Sequence, residues 1–146
     1  MNKIAKYIAI AFAVIMVVLL GILIFVNPPK KDGTMPTSPD GRVRIANIFS
    51  DQVIISPVSV NGSVTGGGWF FEATFPIKIM DADGTVLGQG QARAEGDWMS
   101  TGTVPFSAAI SFSAPHFTTG TILFTKDNPS GLPGNSEFFS IPVRFR

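Results

Sequence analysis

The sequence contains no cysteine. Disulfides, thiolate metal sites, cysteine nucleophiles and lipid attachment through sulfur are therefore excluded. Histidine occurs once, at His116. A Ser-His-Asp arrangement would have to be built on that residue, beside Pro115, with no local nucleophile motif among the serines. Charge is also scarce: 14% of the 146 residues, with a formal net of +1. It is unevenly spread. Residues 1–31 carry Lys3, Lys6, Lys30 and Lys31 and no acid, whereas residues 32–146 carry seven basic and ten acidic side chains, a net of −3. A body of that sign is a poor partner for nucleic acid, which needs several Lys or Arg on phosphates.

Between Lys6 and Lys30 charge is missing altogether. Residues 7–26 include fourteen Ile, Leu, Val or Phe. Twenty residues at about 1.5 Å each cross a hydrocarbon core of about 30 Å. This reads as a transmembrane anchor after a short tail, residues 1–6. A cleaved signal peptide is the alternative; it requires a shorter apolar core and a small-x-small cleavage site, and the run ends Gly21-Ile-Leu-Ile-Phe-Val-Asn-Pro-Pro without one. Lysines at both flanks nearly tie the positive-inside count. The very short tail with its free amine favours an inside N-terminus. The expected location is thus the cell membrane, single-pass, with the C-terminal domain extracytoplasmic. Residues 27–42, rich in Pro, Gly, Ser and Thr, read as a flexible linker.

Residues 43–146 are what is present in place of helices: short alternating apolar runs between turn signals. The central stretch is GGGWFFEATFPIKIMDADGTVLGQGQARAEGDWM, residues 66–99. Trp69, Phe71, Ala73, Phe75, Ile77 and Ile79 share one parity, the pattern of a single strand with one apolar face. Asp83-Gly84 supplies a two-residue hairpin turn. Partners then sum to 167 in residue number. Ile79 faces Gly88, Ile77 faces Gly90, Phe75 faces Ala92, Ala73 faces Ala94, Thr74 faces Arg93, and Glu72 meets Glu95. Large residues opposite small ones leave room for a second sheet. Pro76 cannot donate a ladder bond, so an edge or bulge is expected near it. Asn61-Gly62 reads as a turn between Val58, Val60 and Val64. Val104, Phe106, Ala108, Ile110 and Phe112 share a face, as do Phe139, Ile141, Val143 and Phe145. The expected class is all-β: an immunoglobulin-like antiparallel β-sandwich of about seven strands, preceded by an N-terminal transmembrane helix.

The blocks SPVSVNGSV, GGWFFEATFPIKIMDADGTVLGQGQA, GDWMSTGTVPFSAAISFSAP and GTILFTKDNPSGLPGNSEFFSIPVRF resemble the immunoglobulin-like domain of bacterial spore germination. The resemblance covers about residues 43–146. It implies an extracytoplasmic β-sandwich of bacterial envelope proteins, with no catalytic residues to carry over. Trp69, Phe71, Glu72 and Asp127-Asn128 are read as framework rather than a binding site.

No motif points to a cofactor. Asp81-Ala-Asp83-Gly84 begins a calcium-loop pattern but lacks the remaining ligands and the terminal Glu, and a hairpin turn accounts for it. Neither Gly66-Gly67-Gly68 nor Gly88-Gln-Gly90 is followed by a lysine in Walker spacing. His116 is expected as an exposed loop residue. A patch of Phe70, Trp98 and Phe117 is the candidate contact surface, against the plainer reading that Trp98 caps the core. The expectation is a non-catalytic, membrane-anchored module that binds an envelope protein, with a carbohydrate- or peptidoglycan-binding module as the alternative.

Overall fold

The structure, a computed structural model, describes residues 35–66 and 68–146. The expected tail, the anchor at residues 7–26 and the first part of the linker lie outside the described residues. Among the described residues no helix is long and apolar enough to cross a membrane.

Eight strands follow in order: β1 (Val43–Ile45), β2 (Gln52–Ile54), β3 (Val58–Thr65), β4 (Thr74–Asp81), β5 (Val86–Ala94), β6 (Thr103–Ile110), β7 (Thr119–Thr125) and β8 (Phe138–Phe145). One 3-10 turn, Pro133–Asn135, interrupts the loop before β8. The hydrogen-bonded order is β1-β3-β6-β5-β4-β7-β8-β2. All pairings are antiparallel except β2 with β8. β5 and β6 share only Arg93↔Ser107 and Ala94↔Phe106. At that narrow join the sheet folds over, and its two halves pack inner face to inner face. Phe75 on β4 meets Phe106 on β6 edge-on, with ring centroids 4.9 Å apart. An edge-to-face pair of this kind adds about 0.5–1.5 kcal/mol beyond its burial. The expected all-β, immunoglobulin-like architecture is present, with eight strands rather than about seven.

The central hairpin holds the expected register from Thr74↔Arg93 to Ile79↔Gly88. It does so by a different route. The loop has three residues, Ala82-Asp83-Gly84, closed by the Asp81 N–H to the Thr85 carbonyl (2.8 Å) and the Gly84 N–H to the Asp81 carbonyl (3.0 Å). Gly84 takes the positive φ of 88° that ends such loops. The next pair, Met80↔Val86, sums to 166; a bulge between Ile79 and Met80 then restores 167. Leu87 is the extra residue and is buried. The small residues opposite β4 serve as expected. A β-carbon on Gly90 would lie 3.1 Å from Ile110 Cγ1, and one on Gly88 2.8 Å from Phe112 Cβ. The other layer fills the room they leave. At Pro76 the β4–β7 ladder has already ended, since its last pair is Ile77↔Phe124.

Three expectations change. First, residues 69–79 are not one strand. Phe71 and Thr74 exchange both backbone bonds (2.9 and 3.0 Å) around Glu72 and Ala73, which adopt φ of 49° and 64°. This tight turn resets the parity: Trp69 and Phe70 are both buried, and Phe71 is exposed. It also ends the ladder before Glu72 could face Glu95. Second, Asn61-Gly62 is not a turn but the middle of β3, paired with Ser107 and Phe106. Third, residues 35–42 are not free linker. Thr37 bridges Arg44, the Ile45 N–H reaches the Pro36 carbonyl (2.9 Å), and Ser38 is buried, its Oγ accepting the Val43 N–H (2.9 Å). This N-terminal arm lies along the outer edge of β1.

Candidate interaction surfaces

The strand directions sort the connections between two ends. One end gathers residues 66, 68–73, 95–102 and 126–137; the other gathers 46–51, 55–57, 82–85 and 111–118. The proposed aromatic patch is split by this arrangement. Phe70 is only 5% exposed and packs on Phe75 at 5.4 Å, so it belongs to the core and is corrected from a surface candidate. Trp98 is half-buried and packs against the core from the 95–102 loop. Phe117 is 47% exposed. It follows β6, whereas Trp98 precedes it, so the eight residues of β6, about 23 Å of strand, separate them. The three aromatics are not brought together.

The chemically suggestive polar residues have structural partners. Asp81 is 3% exposed, and its carboxylate accepts the N–H of Ala82 (3.0 Å) and of His116 (2.8 Å). It pins the 111–118 loop to the end of the hairpin. The His116 ring is 79% exposed and stands 3.7 Å from the same carboxylate. Asp83 accepts the Thr85 N–H (2.9 Å), and that bond holds its carboxyl below the ordinary range. Asp81 and Asp83 lie at the opposite end of the hairpin from Glu95 and Asp97, and no metal-holding cluster occurs among the described residues.

In the 126–137 loop the Asn128 amide donates to the Leu132 carbonyl (2.9 Å) and Ser136 Oγ (3.1 Å) and accepts from Ser130 Oγ (2.6 Å). The Asp127 N–H donates to the Trp69 carbonyl (3.1 Å). Asp127-Asn128 thus holds the loop to itself and to the segment before β4. Trp69 lies edge-on to Phe75 and Phe139, each 5.9 Å away, and its Nε1–H has no conventional acceptor among the described residues.

A chain of ion pairs was not legible in the sequence, because its central link joins residues 95 apart. Arg42 binds Asp40 (2.6 Å) and Glu137 (3.1 Å), and Glu137 also binds Lys126 (2.6 Å). Burial works to raise the Asp40 pKa. Hydrogen bonds from Ser38 Oγ, the Arg42 N–H and the Arg42 side chain overcome it and hold the carboxyl well below the carboxylate range. The bond to Asp40 raises Arg42 in turn. A shallow cleft of about 250 Å³ lies beside this chain, lined by Ser38, Asp40, Trp69, Glu137 and Phe138. Its charged groups are neutralised within the chain of pairs.

Residues 43–132 match the family model described as the immunoglobulin-like domain of bacterial spore germination. No curated protein and no solved structure matches the chain. The match spans more than half of the sequence and runs from β1 into the 126–137 loop, so the chain belongs to the family of the immunoglobulin-like domain of bacterial spore germination.

Proposed function

We propose that this chain is a non-catalytic interaction module of a bacterial envelope, anchored by residues 7–26 with its β-domain on the extracytoplasmic side. The observation that carries the reading is how its polar side chains are used. Asp81 and Asn128 are spent on backbone and loop groups, and Glu137 on two cations. What remains for contact is strand faces and loop ends. Family membership supports the same class of role, alongside the uncharged run of residues 7–26.

The absence of cysteine gives a clean test of the anchor and its direction. A Thr101→Cys chain and an Asn2→Cys chain each carry one thiol. In intact cells a membrane-impermeant maleimide should label the first, and the second only after lysis. Recovery should be in the membrane fraction. The reverse labelling pattern, or recovery in the soluble fraction, would sink the reading. Crosslinking the full chain in membranes and co-sedimenting it with purified peptidoglycan then separates a protein partner from the wall.

A further inference from the structure

The charges of the β-domain are segregated. On the half-sheet β5-β4-β7-β8-β2, alternate residues point away from the core. Among these outward positions the charged side chains are Lys78 on β4, Arg93 on β5 and Arg144 on β8; none is acidic. None of the three forms an ion pair among the described residues. Arg144 Nε does donate to the Asp51 backbone carbonyl (3.0 Å), an uncharged acceptor. Among the described residues the acids sit elsewhere: Asp40 on the N-terminal arm, Asp81 turned inward at the end of β4, and the others on the loops at the two ends.

Register fixes how the three cations are laid out. Lys78 shares a rung with Gln89, Leu123 and Ser140. Arg93 lies four residues toward one end on the neighbouring strand; Arg144 lies four residues toward the other end, two strands across. With strands about 4.8 Å apart and a rise of about 3.3 Å per residue, Lys78 is about 14 Å from Arg93 and about 16 Å from Arg144. The three form one diagonal of about 30 Å.

That spacing selects a ligand class. Each gap exceeds the Debye length of about 8 Å at physiological salt, so a single phosphate would feel one cation at a time. Only a partner with charges spaced along its own length engages all three. The sheet also twists by about 20–25° per strand, so three strand steps turn the face too far for a flat bilayer to meet every position. A flexible chain can follow the diagonal. We infer that this face docks a linear phosphate-bearing polymer of the cell envelope, laid across the sheet from Arg93 past Lys78 to Arg144. The inference rests on the extracytoplasmic reading for where the polymer is met. Binding is measured on purified protein, so it fails or stands apart from the labelling test.

The test uses the full chain in neutral detergent, with immobilised long-chain inorganic polyphosphate as the probe. Affinity should fall with salt, with a log–log slope of about −2 to −3 for three contacts. Lys78→Gln, Arg93→Gln and Arg144→Gln should each weaken binding roughly threefold to tenfold and flatten the slope by about 1. Arg144→Lys, which keeps the charge but not the guanidinium geometry, should bind nearly as wild type. Arg44→Gln removes the same charge from β1, outside this face, and should change nothing. Melting curves confirm that each variant is folded. Equal weakening by Arg44→Gln would overturn the inference, as would no retention of wild type at low salt. Binding to anionic vesicles or poly-glutamate without binding to polyphosphate would overturn it too, by assigning the face to a membrane or a protein.

Discussion

The ring of Phe106 occupies the space that a side chain at position 62 would need. A β-carbon on Gly62 would lie 2.6 Å from Phe106 Cζ and would also collide with the Arg44 carbonyl oxygen. Gly62 sits between its two strand partners, β1 through Ile45 and β6 through Phe106. Its missing side chain lets the aromatic ring cross β3. We expect Gly62→Ala to cost about 2–3 kcal/mol, the cost of overpacking a close-packed site. Thermal unfolding should fall by about 10 °C or more. An unchanged melting temperature would show that Phe106 can move aside freely.

The turn at Glu72 and Ala73 holds two residues with side chains at positive φ. Each such residue costs about 1–2 kcal/mol relative to the right-handed region. Ala73→Gly should therefore stabilise the domain by about 1 kcal/mol, and Glu72→Asn with Ala73→Gly by somewhat more, since Asn-Gly is favoured in this geometry. A rise of roughly 4–8 °C per kcal/mol is expected in a thermal melt. A fall would mean that Glu72 or Ala73 makes a compensating contact.

Asp81 and His116 should behave very differently on substitution, although they are neighbours. Asp81→Ala leaves two backbone N–H groups without their acceptor at a partly buried site, and about 1–3 kcal/mol should be lost. His116→Ala keeps the backbone N–H that makes the bond and loses only an exposed ring, so its effect should stay within about 0.5 kcal/mol. Equal losses in denaturant titrations would contradict the assignment of the bond to the backbone.

The Asp40 carboxyl is held below its ordinary pKa in the folded chain. A depressed carboxylate contributes stability above its unfolded pKa of about 3.9 and loses it as pH falls through the folded value. The Asp40–Arg42 pair is open to solvent, so about 0.5–1 kcal/mol is expected at neutral pH. Asp40→Asn should thus lower the melting temperature at pH 7, and the gap from wild type should shrink from about pH 5 toward pH 2. A gap that stays constant over that range would remove the ionised carboxylate from the explanation.

The sequence was most informative where two local signals agreed. Alternation in β4 and the Asp83-Gly84 turn together specified six correct cross-strand pairs, although the loop is one residue longer than expected and a bulge at Leu87 compensates. The β8 alternation was equally readable, since Phe139, Ile141, Val143 and Phe145 all point inward. Signals failed where one residue type serves two physical needs. Gly62 looked like turn chemistry because glycine permits positive φ, but here it supplies space. The Glu72-Ala73 turn carries no glycine or asparagine to announce it, and the apolar alternation of Trp69, Phe71 and Phe75 ran across it unbroken. The candidate surface suffered for the same reason. Phe70 took its expected exposure from a parity that the turn reverses. The cationic diagonal depends on the pairing of β5 with β4, β4 with β7 and β7 with β8, which no local window displays.

The N-terminal arm has a practical consequence for where the folding unit begins. The family match starts at Val43, but residues 36–38 cover the outward row of backbone groups on β1, and Ser38 caps the Val43 N–H. A chain shortened to Val43 would bare that strand as a template for pairing with other copies, and would also lose Asp40 and Arg42 from the ion-pair chain. Such a protein should self-associate at concentrations where a chain beginning at residue 35 stays monodisperse. The boundary set by sequence similarity, Val43, and the boundary set by hydrogen bonding, Pro36, differ by seven residues, and solubility should follow the second.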